Sequence, residues 1–478
     1  MKHKLFTLLV VVTILLSVFV GSASAQAYTA HFTTSITYVN VGLDTTTTLD
    51  LLFYASPGDT APTQYTLPAL AAGAASSLFV GSLGSGIVPA GFQGDAIMQS
   101  DQPMLVTLVQ IPQNAGAVKN RALSNGFGVG GPQTLIATVL KHMFGSNTIF
   151  SIQNADSVMN IVDITFYDTS ANNALEFTQD IEQGASFYVD AAKLTALPDP
   201  FNGSVVVTAT RSDGTTPGSI VSSVMELDVT GTGLKAFEGV ASGATLLYMP
   251  SALCTYRGQN TSYAVQNSSL TESTNVTVTF KTGGNSYPVT KLIPPGAKAS
   301  FGACEAMPAS TLGSAIVTSD NTDVIAIGKA FGAGLSTAFN GVPGGDQSIA
   351  LPYVRWADNT HWNAGTHQRT FIAIQNVGAA LTDGQEVTIE YKDPDGVTVG
   401  THTYTVPPAG LANGAKFNSD ASAATLTSFG YWNNYTTAGG AAIITGPAGS
   451  QLTAIGRVTT QTSPGVLMSE DYNSQALP

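Results

Sequence analysis

Cysteine, tryptophan, histidine and charged residues are all scarce in this 478-residue sequence. Its 2 cysteines are too few for the disulfide framework that holds many small secreted domains together. Its 6 histidines show no His-x-x-x-His spacing, which argues against a zinc site of the common kind. Helical periodicity is absent almost everywhere, which excludes an α-helical protein.

Basic residues are the scarcer charged class, with 18 Lys and Arg against 31 Asp and Glu and a net charge of −13. An acidic surface repels phosphate backbones and anionic headgroups, so neither nucleic acid nor a membrane surface is expected as a partner. The partners that fit are an extracellular glycan, another surface protein or a second copy of the chain.

Residues 1–25 have the pattern of a signal peptide. Lys2 and Lys4 precede the apolar run Leu5 to Val20, and Ala23–Ser24–Ala25 matches a cleavage site before Gln26. The apolar run is long for a signal peptide, so an uncleaved membrane anchor is the alternative. We expect cleavage and a secreted or cell-surface protein.

A strand of alternating apolar residues that ends in asparagine occurs four times. These landmark asparagines lie 114, 113 and 109 residues apart, at Asn40, Asn154, Asn267 and Asn376. Each is followed by a second strand with three apolar residues at alternate positions, as in Val387, Ile389 and Tyr391. Period two indicates a strand with one buried face. A period of this length makes each repeat a whole domain.

We therefore predict an all-β protein of four tandem immunoglobulin-like β-sandwich domains in an elongated array. The predicted domains are residues 26–131, 132–243, 244–346 and 347–478, the last with longer loops. Short glycine-containing joins between them favour a partly stiff rod.

The repeats resemble a known group of sequences. TFIAIQN (370–376), VTIEYKDPDG (387–396), PPAG (407–410), GSAIVTS (313–319) and VIAIGKAF (324–331) are similar to the tandem immunoglobulin-like repeats of secreted and cell-surface proteins of filamentous bacteria, notably Chloroflexota. The resemblance covers the whole chain after the signal peptide. It implies a surface or matrix role and supplies no catalytic residues.

Few residues are candidates for chemistry. Cys254 and Cys304 fall in one repeat and are predicted to form a disulfide. No Gly-x-Ser-x-Gly elbow is present, and scattered acids alone do not mark an active site, so we expect no enzyme. No metal site is predicted. A structural calcium ion is the only cofactor left open, at the turns 393–396 and 319–321, where the same residues are also ordinary turn formers.

All three tryptophans, Trp356, Trp362 and Trp432, lie in the fourth repeat. With Tyr353 and Arg355 they form a candidate binding surface, for which glycan is the first choice because exposed aromatic rings stack on sugars. The alternative is that these tryptophans fill the core of the domain or cap its end.

Three functions follow, in order of preference. The first is a non-catalytic structural or adhesive protein of the cell surface or extracellular matrix that acts as a spacer or fibre component. The second is a carbohydrate-binding protein that uses the tryptophan-rich loops of repeat four. The third is an extracellular glycan-active enzyme.

Overall fold

Among the described residues the regular secondary structure is almost all β-strand, as the sequence predicts. The computed structural model describes residues 32–56, 61–113, 120–228, 233–364, 367–430, 439–463 and 466–478. The predicted signal peptide, residues 1–25, lies outside these ranges. The described residues include one short helix, α1 (Asn359–Ala364), and none of their helices has the length and apolarity needed to span a membrane. Short 3-10 turns occupy Val80–Ser82, Ala191–Lys193, Ala303–Glu305 and Ala421–Ala424.

The strands group into four units, called units 1 to 4, each with one landmark asparagine. Unit 1 contains β1 (Phe32–Asn40), β2 (Leu49–Ala55), β3 (Thr63–Thr66), β4 (Ala75–Phe79), β5 (Gly94–Ser100), β6 (Met104–Pro112) and β7 (Ala122–Asn125). Unit 2 contains β8 (Gln133–Lys141), β9 (Ser146–Asn154), β10 (Asn160–Asp168), β11 (Asn173–Ile181), β12 (Ser186–Asp190), β13 (Phe201–Arg211), β14 (Ile220–Asp228) and β15 (Leu234–Glu238).

Unit 3 contains β16 (Leu246–Cys254), β17 (Asn260–Asn267), β18 (Thr274–Thr282), β19 (Asn285–Ile293), β20 (Lys298–Gly302), β21 (Thr311–Ser319), β22 (Val324–Gly332) and β23 (Leu335–Asn340). Unit 4 contains β24 (Ser348–Val354), β25 (His367–Asn376), β26 (Glu386–Lys392), β27 (Thr398–Thr405), β28 (Lys416–Asp420), β29 (Gly440–Thr445), β30 (Leu452–Ser463), β31 (Val466–Asn473) and β32 (Gln475–Ala476).

Each unit has two sheets around a shared apolar core. In unit 2 the sheets run β11-β10-β13-β8 and β12-β9-β14-β15. Ile152 of one sheet and Val162 of the other belong to the same buried cluster. The first and second strands, β8 and β9, lie in different sheets, whereas an immunoglobulin constant domain has both in one sheet. The two-layer β architecture is therefore as predicted, but the immunoglobulin strand order is not.

The landmark asparagine ties each unit together. Asn154 is fully buried, and its Oδ1 accepts the N–H of Asp156 at 2.8 Å. Its Nδ2 donates to the carbonyls of Val158 and Ile181, each at 2.8 Å. Asn40, Asn267 and Asn376 accept from the residue two positions on and donate to two carbonyls in the same way. The recurring asparagine therefore provides the hydrogen bonds that close the turn after its strand.

Equivalent residues of different units are identified by strand pairing from this landmark. The landmark asparagines pair with Met104, Ile220, Val324 and Leu452, which are therefore equivalent. Residues the same number of positions further along these strands are equivalent as well.

The four units form a closed ring, so the predicted elongated array is wrong. Unit 1 contacts unit 4 directly: Ala75 N–H donates to the Pro394 carbonyl at 2.8 Å, and Val109 is part of the apolar cluster of unit 4. The last strands β7, β15, β23 and β31 lie side by side around the centre. The short joins turn each unit against its neighbour because apolar residues on the outer faces of the units, such as Ile325 and Ile327, are buried by that contact.

The contacts between successive units repeat as well. Ser204 of unit 2 donates to the Gly296 carbonyl of unit 3 at 2.6 Å, and Ser314 of unit 3 donates to the Gly414 carbonyl of unit 4 at 2.6 Å. The glutamine before the landmark reaches back to the preceding unit, since Gln375 Nε2 donates to the Ala315 carbonyl at 3.1 Å. Neighbouring units are thus joined by a repeated set of polar contacts.

Candidate functional site

Four equivalent residues meet where the last strands come together. In each unit, one residue of the last strand pairs with the residue three positions after the landmark's partner. These four residues are Asn125, Glu238, Asn340 and Asn473. Each bonds to the next. Asn125 N–H donates to the Glu238 carboxylate, and Asn340 Nδ2 donates to the Glu238 carbonyl at 3.1 Å. We call this set the axial ring.

The axial ring closes through Asn473. Its Oδ1 accepts the N–H of Asn340 at 2.8 Å, and its carbonyl accepts Asn125 Nδ2 at 2.8 Å. Gln475 adds a bond to Asn125 Oδ1 at 3.2 Å. Each unit therefore contributes one side chain that satisfies polar groups of a neighbouring unit at the centre of the molecule.

A shallow cavity of about 350 Å³ lies over the axial ring. Its walls come from the residues that follow the ring positions, including Gly126, Gly239 and Gly341. Burial raises the pKa of Glu238, and the N–H of Asn125 opposes this rise. Asn340 Oδ1 is buried without a hydrogen-bond partner among the described residues. The cavity is mostly apolar with a few acceptors on its floor.

The other end of the axis holds a buried acid. Glu470 Oε1 accepts the backbone N–H of Arg121 at 2.6 Å. Burial raises the pKa of Glu470 to about 8, although the nearby Arg121 lowers it. Nearby, Leu234 N–H donates to Asn120 Oδ1 at 2.8 Å, which joins units 1 and 2. These hydrogen bonds join unit 1 to units 4 and 2.

A second cavity, of about 430 Å³, lies between units 1 and 4. It is lined by Tyr38 and Leu70 of unit 1 and by Pro394 and Asp395 of unit 4. The turn 393–396, which the sequence left open as a calcium site, forms this contact. Asp393 Oδ1 accepts the N–H groups of Asp395 and Val397 at 3.0 and 2.9 Å, so it closes its own turn.

The other proposed calcium turn, residues 319–321, is bonded to β18, since Asp320 Oδ2 accepts Asn275 Nδ2 at 3.1 Å. Within the described residues, no group of three or more His, Cys, Asp or Glu side chains is arranged to hold a metal ion. No cofactor is indicated by the side chains that are described.

The tryptophan-rich region of unit 4 is packed mainly into the fold. Tyr353 and Trp356 are each 6 % exposed and belong to the core cluster of the unit. The Tyr353 hydroxyl donates to Gln368 Oε1 at 3.0 Å. Trp356 meets Phe371 edge-to-face at 5.7 Å between ring centroids. These two predicted site residues therefore follow the alternative of a core role.

Two other residues of the predicted surface are half-buried. Arg355 lies over the Tyr353 ring, 4.3 Å from its centroid. Trp362 lies on α1. The Arg369 guanidinium is 4.7 Å from the Trp362 centroid and 5.0 Å from that of Trp356. Trp432 lies outside the described residues. The predicted set is thus brought together only in part.

The two cysteines are joined in a disulfide with an S–S distance of 2.03 Å, linking the end of β16 to the 3-10 turn after β20. The bond lies within unit 3. It holds the first strand of that unit against the second sheet and takes no part in the axial ring.

Sequence reasoning missed a buried charge cluster between units 2 and 3. Glu226 bonds Lys235 at 3.0 Å and also Lys329 of the next unit. Lys298 and Lys329 both donate to Thr138 Oγ1, at 3.1 and 3.0 Å. At the boundary of units 3 and 4, Arg457 takes the place of Lys329. It pairs with buried Asp471 of its own unit at 2.7 Å and donates to Ser251 Oγ of unit 3 at 3.4 Å. Charge inside strands that are otherwise apolar was the available signal.

Comparison with known proteins gives little. No family model matches the chain, and no curated protein matches it. Among solved structures, the chain is similar at 13 % identity to the tetra-tandem repeat in the extending region of a large adhesion protein. That similarity covers 93 % of this chain and 95 % of the other, with a TM-score of 0.12. At this identity and score it carries no argument about fold or function.

Proposed function

We propose that the protein is an exported, non-catalytic structural or adhesive component of the cell surface or extracellular matrix. It acts as one compact block of four repeats. The observation that supports this proposal best is the axial ring, because it uses one side chain of every unit to bond its neighbours. A tandem array with such a centre resists the independent motion of its units.

The packing between units gives further support. Apolar residues of unit 3 complete the core of unit 2, and Val109 and Leu123 of unit 1 complete that of unit 4. Buried charge pairs also cross the boundaries, as between Glu226 and Lys329. A block of this kind presents fixed outer loops for contact with other molecules.

The proposal is tested by locating the protein and measuring its shape. Protease treatment of intact cells, with blotting of the cell and medium fractions, should find the chain outside the cytoplasm. Scattering of the purified protein should give a radius of gyration near that of a single compact domain, about 22 Å for some 450 residues. A cytoplasmic chain, or glycan turnover that is lost on changing one carboxylate, would contradict the proposal.

Carbohydrate binding is the second candidate, and one observation favours it. Trp362 is half-buried and stacked on Arg369, which fixes the plane of its ring at the surface of unit 4. A fixed aromatic plane is what stacking on a sugar requires. A glycan array read by tryptophan fluorescence tests this candidate, and an array with no binder rejects it.

A further inference from the structure

In units 2, 3 and 4 the first strand of the unit lies between that unit and the next. β8 pairs antiparallel with β13, and Thr138 of β8 bonds Lys298 and Lys329 of unit 3. Every residue of β8 after the first is buried, and the same holds for β16 and β24. The first strand therefore occupies a slot that is closed on both faces.

Unit 1 differs at this position. Among the described residues its sheet has only three strands, β3-β2-β5, and β5 pairs only with β2. The equivalents of β5, which are β13, β21 and β29, each pair with a first strand on the other side. Apart from the Gly94 carbonyl, which accepts the Tyr188 hydroxyl of unit 2 at 2.8 Å, the outer edge of β5 is thus open within the described part of the chain.

The side of β5 that faces the core is also more exposed than the same side of its equivalents. Ala96 and Met98 are half-buried. Their equivalents, which lie opposite the same positions of the second strand, are all 0 % exposed: Val205, Val207, Ala315, Val317, Ala442 and Ile444. Where a first strand is present, these residues are covered.

The facing surface of unit 2 shows the same difference. Val221 and Ser223 on β14 are half-buried. Their equivalents Ile325 and Ile327 in unit 3 are 1 % and 0 % exposed and pack into the cluster that includes Ile136 of β8. An apolar slot, here called the unit 1 slot, therefore lies between β5 and β14.

We propose that the unit 1 slot binds an extended segment of a second, different polypeptide, which adds to β5 as an antiparallel strand. The lengths of β24, β8 and β16 indicate a segment of 7 to 9 residues. Strand addition to an open sheet edge gives affinity through main-chain hydrogen bonds, and side-chain pockets give specificity. The proposal rests on the export proposed above, because it assumes cleavage after Ala25.

The chain's own N-terminal segment does not suit the slot. Cleavage before Gln26 leaves six residues, 26–31, ahead of β1. In units 2 and 3 the connection between the first two strands alone takes residues 142–145 and 255–259. Residues 19–27 lie as far before Asn40 as β8 lies before Asn154. Most of them are removed with the signal peptide. They would also put Gly21 and Ala25 where unit 2 has Leu135 and Val139.

A second copy of the chain is a poor donor too, because its β-strands within the described ranges are already paired in their own sheets. The slot also indicates the chemistry of the donor. Lys329 and Arg457 bond a hydroxyl of the first strand, whereas their equivalent in unit 2 is Met225. A donor segment that is apolar on both faces and lacks that hydroxyl fits best.

The experiment uses the exported protein, with its N-terminus read by mass spectrometry. The probe is a labelled synthetic peptide with the sequence of β8, Gln133–Lys141, carrying Thr138→Val so that it lacks the hydroxyl, since β8 fills the equivalent slot. The control is the same peptide with Ile136→Pro, because Ile136 pairs with Val205 in the equivalent slot and proline removes its N–H from that pairing. We expect saturable binding by fluorescence anisotropy and a rise in Tm with the first peptide alone. Absence of binding to a chain that starts at Gln26 overturns the proposal.

A second variant fills the slot within the chain. Residues 133–145 are inserted directly before Phe32, so that the β8 sequence has the spacing that it has in unit 2. This variant should have a higher Tm than the exported protein and should no longer bind the peptide. A variant that still binds the peptide places the binding elsewhere and overturns the proposal.

Two results would identify another occupant and so refute the donor proposal. One is concentration-dependent dimerisation that competes with the peptide, which assigns the slot to a second copy. The other is an exported chain that retains residues 1–25 and binds no peptide. Location by protease treatment is measured separately, so failure of the export proposal is distinguished from failure of strand addition.

Discussion

Asn473 accepts a hydrogen bond from the N–H of Asn340 at 2.8 Å and donates one to the carbonyl of the same residue, also at 2.8 Å. The two residues are 133 positions apart and belong to units 4 and 3. A side-chain amide has the same donor and acceptor as a peptide group, so Asn473 pairs with β23 as a neighbouring strand would. Elsewhere β23 and β31 share the single backbone bridge Leu335 to Ser469.

Replacing Asn473 by Leu should destabilise the protein by about 1–3 kcal/mol, because the N–H and carbonyl of Asn340 lose their partners in a buried place. Urea unfolding checks this, with exposed Asn285→Leu as the matched control. A change at Asn473 no larger than at Asn285 would mean that water replaces the amide and that the axial ring adds no stability.

The landmark asparagines offer a more severe test. Asn267 Nδ2 donates to the carbonyls of Glu272 and Ile293, and a carboxylate at this place would face the same oxygens. Asn267→Asp should therefore cost about 3 kcal/mol or more at pH 7. Part of the loss should return as the pH falls, since a protonated carboxyl donates again. Asn285→Asp is the isosteric control, and equal stabilities of the two variants would contradict the role of the landmark.

The repeats were predictable from sequence because each depends on local alternation. Tyr38, Ile152, Val265 and Ile374, two residues before their landmarks, are at most 2 % exposed, as the alternation requires. Ring closure was not predictable. It depends on contacts such as Gln475 Nε2 to the Val106 carbonyl at 3.2 Å, across 369 positions. The axial residues also follow their landmarks by 73 to 97 residues, because the loops differ in length, so no fixed spacing marks them.

The sequence could not decide between a surface and a core role for the tryptophans, for a related reason. Clustering in the sequence brought Trp356 and Trp362 into one region, and in the structure both contact Arg369. Sequence spacing does not distinguish an inward position on an irregular segment from an outward one. Trp356 lies inside because its backbone pairs with Phe429 through N–H and carbonyl bonds of 2.7 and 2.8 Å.

Asp95 offers a prediction that depends on pH. Its equivalents Ser204 and Ser314 each donate to a carbonyl of the next unit, whereas an ionised Asp95 has no proton to donate. Burial raises the pKa of Asp95 to about 6. The folded state then holds this proton more tightly than the unfolded chain, so stability falls as the pH rises from about 4 to about 6.

Asp95→Ser should remove this dependence and restore the donor. Its free energy of unfolding should exceed that of the original protein by about 1–3 kcal/mol at pH 7, with a smaller difference at pH 4. Denaturant titrations at pH 4, 5, 6 and 7 measure the difference, with exposed Asp44→Ser for comparison. A gain of the same size at every pH would assign the effect to packing and not to the proton.

The buried cluster of units 2 and 3 leads to two opposite expectations. Burial and neighbouring Lys329 lower the pKa of Lys298 to about 7. The unfolded chain then binds more protons than the folded one between about pH 7 and 10, so this group adds stability as the pH rises. Lys298→Met should flatten that rise without loss at pH 7. Glu226→Gln should instead cost about 3–5 kcal/mol, because Lys235 and Lys329 lose their buried counter-charge.

Unfolding curves of the two variants at pH 7 and pH 9 decide the matter. Lys281→Met, at a half-buried position, serves as the control for loss of one lysine. If Glu226→Gln were tolerated as well as Lys298→Met, the two lysines would have to release their protons or reach solvent, and the cluster would not hold the units together.

Variants of Trp356 and Trp362 should separate an effect on stability from an effect on binding. Trp356 is in the core, so Trp356→Ala should destabilise the protein by about 3–5 kcal/mol. Trp362 covers one side of the Arg369 guanidinium, so Trp362→Ala loses a partly exposed cation–π contact of about 0.5–1 kcal/mol. Melting curves measure both. If the surface of unit 4 binds a glycan, Trp362→Ala should abolish retention on cell-wall polysaccharide at an almost unchanged Tm, whereas Trp362→Phe should keep most of it. A Trp362→Ala protein that is retained as well as the original would leave this surface without a role in sugar binding.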